Sequence, residues 1–236
     1  MKPHFEKLFI NPHAEEKSYT YGTIPMRIKN IKAIWNNEFD DDNGIEKMLR
    51  LFLAVTQFFF PGLYIKHFFS RKLNPYQDLA IDVYVLLKVA FPFVLISTGL
   101  AKNDFYLCIL IWLMAETMLY VPRLIFASDI IEKPRSYRRS MLLLFVNYIE
   151  IIFDFAVLYA HGDYLNKAFL HWFDPIYFSF ITAATIGFGD FHPITPMGKF
   201  LVSFQSTLII VFVALFLNFF TGKIESKGYF GEDKTP

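Results

Sequence analysis

Apolar residues along this chain gather into long blocks rather than alternating with polar ones. Five blocks stand out: LRLFLAVTQFFFPGLYIKHFF (49–69), LAIDVYVLLKVAFPFVLISTGLA (79–101), FYLCILIWLMAETMLYVPRLIFA (105–127), MLLLFVNYIEIIFDFAVLYA (141–160) and MGKFLVSFQSTLIIVFVALFLNFF (197–220). Each is close to the ~20 apolar residues that a helix needs to cross a bilayer's hydrocarbon core. The pattern predicts an all-α integral membrane protein. A short hydrophilic turn joins blocks two and three into a helical hairpin. Block one is imperfect: it carries Arg50 and Gln57, and Pro61-Gly62 interrupts it. If it crosses there are five spans, the reading adopted; if it is re-entrant or interfacial there are four. A sixth apolar stretch, IYFSFITAA (176–184), is too short to cross.

The polar segments divide the chain into a tail (1–46), N-terminal transmembrane helices (47–130), a C-terminal module (131–222) and a second tail (223–236). Short loops rich in Lys and Arg stay on the cytoplasmic side. Lys133, Arg135, Arg138 and Arg139 assign the 128–140 linker there, and Lys66, Arg71 and Lys72 assign the 66–78 loop. Two spans separate these loops, which is the required parity. The loop before residue 185 is then external and the C-terminal tail cytoplasmic.

Composition narrows the function. The chain of 236 residues is 54% hydrophobic and carries a formal net charge of +1. That balance gives a nucleic-acid partner little support. The single cysteine, Cys108, excludes an intrachain disulfide and a multi-cysteine metal site. Inside an apolar block it reads as a small buried residue. No signal peptide is visible at the N-terminus, and no internal repeat is present, so any symmetry must come from further copies of the chain.

The short stretch 176–184 leads directly into TIGFGD (185–190). Each glycine costs a helix interior about 1 kcal/mol relative to alanine, so Gly-Phe-Gly does not serve a spanning helix. Non-helical backbone at membrane depth is tolerated where protein buries it or where it lines an aqueous path. Glycines permit backbone angles that side chains forbid, and alternating such residues can turn successive carbonyls toward one axis. Four strands arranged so would form rings of oxygens that replace a cation's water.

TIGFGD resembles the signature of potassium channels, TVGYGD in its commonest form. The likeness extends over IYFSFITAATIGFGDFHPITPMGKF, which is similar to that family's pore helix, filter and entry to the inner helix. It covers about residues 141–221, a two-helix pore module; the preceding 140 residues match no pattern. The resemblance implies that backbone carbonyls of Thr185, Ile186, Gly187 and Phe188 hold the permeant K+, as in the filters of that family. Gly189 completes the filter, and the Thr185 hydroxyl closes its inner site. Asp190 is expected behind the filter with Tyr177 as its hydrogen-bond partner. The C-terminal end of the pore helix would direct partial negative charge toward the central cavity.

The chain also departs from the family's pattern. Phe188 stands for the usual tyrosine, and Phe178 for a tryptophan that often bonds it. The support around the filter is therefore expected to be apolar and softer. Ile209 occupies the place of a glycine hinge in the inner helix, and Ala214 is the next small residue; gating at the filter then becomes the expectation.

Ionisable residues inside spans are costly and are usually paired or functional. Asp82 and Lys88 lie in block two, Glu116 and Arg123 in block three, and Glu150 and Asp154 in block four, the last two spaced i, i+4 on one face. The structural expectation is that Lys88 neutralises a carboxylate of a neighbouring helix and that Arg123 snorkels to the cytoplasmic edge. The functional one is a titrating carboxylate pair that biases the pore. Arginines do not repeat along any one span, which argues against a voltage sensor. His161, His171 and His192 flank the short segment as ordinary loop residues or as external proton sensors.

The resulting expectation is a homotetrameric potassium channel subunit in the bilayer of the cell membrane. It is not an enzyme, needs no cofactor beyond the permeant K+, and has no nucleic-acid partner; a regulatory partner is unknown. The alternatives are a weakly selective cation channel, a membrane enzyme or accessory subunit in which GFGD is incidental, and an ion-uptake subunit. Uptake pores usually carry four non-identical repeats in one chain, and only one is present here.

Overall fold

The computed structural model describes residues 23–37, 44–72, 77–126 and 137–221. Residues 1–22 and 222–236, and the linker residues Lys133 and Arg135, lie outside the described residues, so the expected tails are not described further.

Among the described residues all regular structure is helical. In chain order the helices are α1 (Thr23–Asn36), α2 (Gly44–Thr56), α3 (Pro61–Lys72), α4 (Gln77–Ser97), α5 (Asp104–Phe126), α6 (Tyr137–His161), α7 (Asp174–Ala183) and α8 (Pro196–Thr221). Short 3-10 turns, Gln57–Phe59 and Leu100–Lys102, join α2 to α3 and α4 to α5. The chain is an all-α membrane protein.

Among the described residues, four helical stretches are long and apolar enough to cross a membrane: Gln77–Ser97, Asp104–Arg123, Arg139–His161 and Pro196–Leu217. At 21 residues, α4 is about 32 Å long, matching a hydrocarbon core of about 30 Å. Their outward faces are apolar: Leu86 and Leu87 on α4 are 59% and 63% exposed. Cys108 also lies on the exposed surface, contrary to the expectation of a buried thiol. A small apolar group facing lipid needs no protein cover, so burial rules for water-soluble proteins misplace it.

Block one is not a single straight helix. Its halves, Gly44–Phe59 and Pro61–Phe69, meet at 72°. The cause is local. Phe60 is extended, with φ −117° and ψ 148°, because the ring of Pro61 disfavours helical angles in the residue before it. The break exposes backbone groups that side chains of α5 satisfy. Trp112 Nε1 donates to the Phe59 carbonyl at 3.2 Å, and the Gly62 amide donates to Glu116 Oε1 at 3.2 Å. Among the described residues there are four candidate spans, and a fifth if the bent pair counts as one.

Helix α6 is the centre of the molecule. Ile151, Phe155, Ala156, Val157 and Tyr159 are all 0% exposed. One apolar cluster joins Ala156 and Val157 to Leu95 of α4 and Leu110 of α5. Another joins Ile151, Phe155 and Tyr159 to Phe178 of α7 and Phe212 of α8. Thus α6 belongs to both halves, with the N-terminal helices on one side and the C-terminal module on the other. Arg139, near its start, pairs with Asp78 at 3.1 Å and Asp82 at 2.7 Å on α4. The starts of α4 and α6 therefore share one end of the bundle, as the parity of the basic loops requires.

Candidate functional site

The loop between α6 and α8 builds the site. Helix α7 opens without a side-chain N-cap; its first residue, Asp174, instead holds the preceding loop, its Oδ2 accepting from the amides of Leu170 and His171 at 2.8 and 2.9 Å, and proline follows in the first helical turn, where it favours a helix start. Its other end stops after ten residues. The Ile186 amide reaches the Ile181 carbonyl at 2.9 Å and the Thr185 amide reaches the Thr182 carbonyl at 3.1 Å. This paired closure is the Schellman motif, which needs a left-handed residue, usually glycine, just past the helix. Here that residue is Thr185, at φ 57°. A β-branched residue held there costs of order 1–3 kcal/mol, and such strain gathers at functional sites.

Beyond Thr185 the sign of φ alternates. Gly187 and Gly189 are at φ 56° and 81°, while Ile186 and Phe188 between them are not positive. In an ordinary strand successive carbonyls point to opposite sides. Reversing every second residue brings them to one side. All the residues from Thr185 to Asp190 are exposed in the single chain, Ile186 at 52% and Phe188 at 69%. A Cβ built on Gly187 or Gly189 would meet nothing within 4 Å, so backbone conformation rather than space selects glycine there.

The exit strand is held from the side. Asn166 receives the His192 amide on its Oδ1 at 3.0 Å, and its own amide donates to the His192 carbonyl at 3.0 Å. Its Nδ2 reaches the Asp190 carbonyl at 3.3 Å. Thr195 then caps α8: its hydroxyl accepts from the Gly198 amide at 3.1 Å, with Pro196 at the first helical position. Gly198 is required by close approach, because a Cβ there would lie 2.8 Å from the Tyr164 carbonyl oxygen.

Asp190 lies beside Tyr177. Slight desolvation, then the charge of Asp190 and the hydrogen bond to it, push the Tyr177 phenol above its ordinary range. Phe178 is buried inside its own chain, edge-on to Tyr159 at 4.8 Å between ring centres. Ile209 is buried against Ile152 and Ala183, and Ala214 is exposed. His161 Nδ1 lies 3.1 Å from the Ala101 carbonyl oxygen and its Nε2 3.4 Å from Asp104. His192 Nδ1 lies 3.4 Å from the Gly189 carbonyl oxygen, and His171 stands at the exposed start of α7.

A buried polar chain, not anticipated in the sequence, ties the three helices of the module together. Gln205 of α8 is 0% exposed. Its Nε2 donates to the Ser179 carbonyl at 3.0 Å and to the Ser179 hydroxyl at 2.9 Å. Its Oε1 accepts from the Tyr159 hydroxyl at 2.8 Å, and the Ser179 hydroxyl donates to the Ile152 carbonyl at 2.6 Å. Outer, short and inner helices are thus held in one register. The available signal was Gln205 itself, an amide in an otherwise apolar span.

The intramembrane charges form a second cluster. Lys88 Nζ lies 3.0 Å from Glu150 Oε1 and 3.9 Å from Glu116 Oε2, and it also donates to the Thr117 hydroxyl. Thr117 in turn contacts both Glu150 oxygens at 3.0 and 3.1 Å, and Tyr84 donates to Glu116. Lys88 does neutralise a carboxylate of a neighbouring helix. Glu150 and Asp154 are both buried, but Asp154 joins no hydrogen bond through its Oδ2. Arg123 ends the candidate span Asp104–Arg123. Its Nε and Nη2 are buried without hydrogen-bond partners among the described residues, in the field of Glu116.

Residues 141–226 match a family of proteins described as ion channels. No solved structure matches the chain.

Proposed function

We propose that this chain, whose residues 141–226 match a family described as ion channels, is a subunit of a potassium-selective channel in which four copies surround one pore. The observation that carries this reading is the alternating backbone of Thr185, Gly187 and Gly189 directly past the end of a half-length helix. Carbonyls of Thr185, Ile186, Gly187 and Phe188 would replace the hydration shell of K+, which is the transported substrate. One chain supplies one wall only, which is why this strand is exposed and why further copies are needed to surround an ion. The C-terminal end of α7 adds partial negative charge where a cation would wait.

Asp190 and Tyr177 brace the strand from behind, and the Gln205–Ser179–Tyr159 chain fixes the short helix against α6 and α8. Conduction is passive and asks nothing of the side chains except position. The basic linker before α6 faces the cytoplasm in this reading, and the filter opens to the outside. Gating at the filter fits Ile209, which is packed against Ile152 and Ala183 where a flexible hinge would need room.

The test is ion flux from proteoliposomes containing the purified protein, with sodium and barium controls and with Gly187→Asp as comparison. Potassium-selective, barium-blocked flux that vanishes in the variant is the expected result. Equal sodium and potassium flux would replace this reading with a weakly selective cation pore. Purified particles without four-fold symmetry, and without flux, would overturn it.

A further inference from the structure

Three carboxylates and one lysine meet between α4, α5 and α6, and their charges do not balance locally. Lys88 is taken by Glu150 at 3.0 Å and lies 3.9 Å from Glu116. Glu150 is further satisfied by Thr117, and Glu116 by Tyr84 and the Gly62 amide. Asp154 stands one turn along α6 from Glu150, and the charges of Glu150 and Lys88 act on it. It is 3% exposed, and no donor among the described residues reaches its Oδ2.

An ionised carboxylate only accepts hydrogen bonds, and its two oxygens offer about four acceptor sites. Burying that charge without donors or a counter-ion costs several kcal/mol. The other charged groups of this region do not supply one. Arg123 lies in the field of Glu116, and Arg27 of α1 makes contacts of its own. On α7 and α8 the ionisable side chains of the described residues are Asp174, Tyr177 and Lys199, all in the first turns of those helices. With Asp154 neutral, Lys88 and Arg123 offset Glu150 and Glu116. With Asp154 charged, one negative charge is left over.

We propose that Asp154 is a proton-binding site inside the membrane, occupied at neutral pH, with the Lys88–Thr117–Glu150 triad as its fixed electrostatic frame. Releasing the proton to water would place a second carboxylate in competition for the Lys88 ammonium. The site connects to α7 through α6. Asp154 is two residues from Ile152, whose carbonyl anchors Ser179 of α7. A pull on Lys88 is therefore transmitted along α6 to the helix that aims the filter.

Infrared difference spectroscopy on the full-length protein in lipid reads the proton directly. A protonated-carboxyl C=O band at neutral pH is expected in the wild type. It should shift when the protein is labelled with 13C-aspartate, persist in Glu150→Gln and be lost in Asp154→Asn. The aspartate-labelled wild type needs no variant to fold. A band that ignores the aspartate label, or that disappears in Glu150→Gln while surviving in Asp154→Asn, would overturn the proposal, as would the absence of any such band. The effect on transport rests on the channel reading: wild-type flux should change on alkalinisation, and Asp154→Asn, fixed in the neutral form, should lose that dependence. PH-dependent flux retained in Asp154→Asn would overturn that coupling. The infrared result stands whether or not the protein conducts, so the two readings fail separately.

Discussion

At the scale of single residues, two glycines are required for different reasons. Gly187 has open space around it but sits at φ 56°. Gly187→Ala is expected to cost about 1–2 kcal/mol through left-handed strain and to abolish selective flux while the helices stay folded. Flux and circular dichroism on one preparation check it. Gly198 has no such dihedral, but its missing Cβ makes room for the Tyr164 carbonyl. Gly198→Ala is expected to lower stability by about 1–3 kcal/mol, the usual cost of overpacking, measured as a fall in melting temperature in detergent. Both glycines were visible in the sequence, and the first was legible from its motif alone. The second was not, because close approach depends on a residue 34 positions away in the chain.

Among elements, the polar contacts decide how helices are registered. Gln205→Leu removes one member of a buried chain and leaves the Tyr159 and Ser179 hydroxyls short of partners. Each orphaned group costs roughly 1–3 kcal/mol, so the single variant should melt earlier and conduct less. The triple variant Tyr159→Phe, Ser179→Ala, Gln205→Leu should recover stability, because no polar atom is then abandoned. If the triple melts below the single, the chain is not acting as a unit. The Lys88–Glu150 pair follows the same rule. Lys88→Met strands a buried carboxylate and is expected to destabilise the protein by about 3–5 kcal/mol, whereas adding Glu150→Gln to it should restore much of that loss. Thermal melts of the single and double variants decide it. Sequence spacing put Glu150 and Asp154 on one face of α6. It could not tell that one is bonded and the other bare, because their partners come from α4 and α5.

For the whole molecule, the packing of α1 and α2 bears on how the N-terminal helices meet the membrane. The Ile24 amide of α1 lies 3.4 Å from His67 Nδ1 on α3, and Arg27 lies within the field of Arg123, late in α5. Lys47 of α2 reaches back to the Trp35 carbonyl at 2.9 Å. These contacts fold α1 and α2 together beside the later part of α5, whose last residues lead toward the linker of Arg139. A cysteine placed at Gly44, in a Cys108→Ala background, is therefore expected to react with a membrane-impermeant reagent from the Arg139 side. Reaction from the opposite side would mean that the bent pair crosses. Removing Cys108 matters because that thiol is exposed on the surface.

The sequence by itself determined the membrane setting, the spans α4, α5, α6 and α8, and the short helix with its glycine-bearing exit. Those features follow from block length and from local backbone chemistry, which a chain carries within a few neighbouring residues. It also placed the break at Pro61, since proline acts on the residue just before it, though not the 72° angle that results. Only the tertiary structure decided which buried polar atoms are satisfied. Trp112 and Glu116 cap a break more than fifty positions earlier, Gln205 locks α7, and Arg123 keeps two guanidinium nitrogens buried and unbonded among the described residues. In a low-dielectric interior a polar group's fate depends on the partner that packing brings to it, and packing is a property of the folded whole.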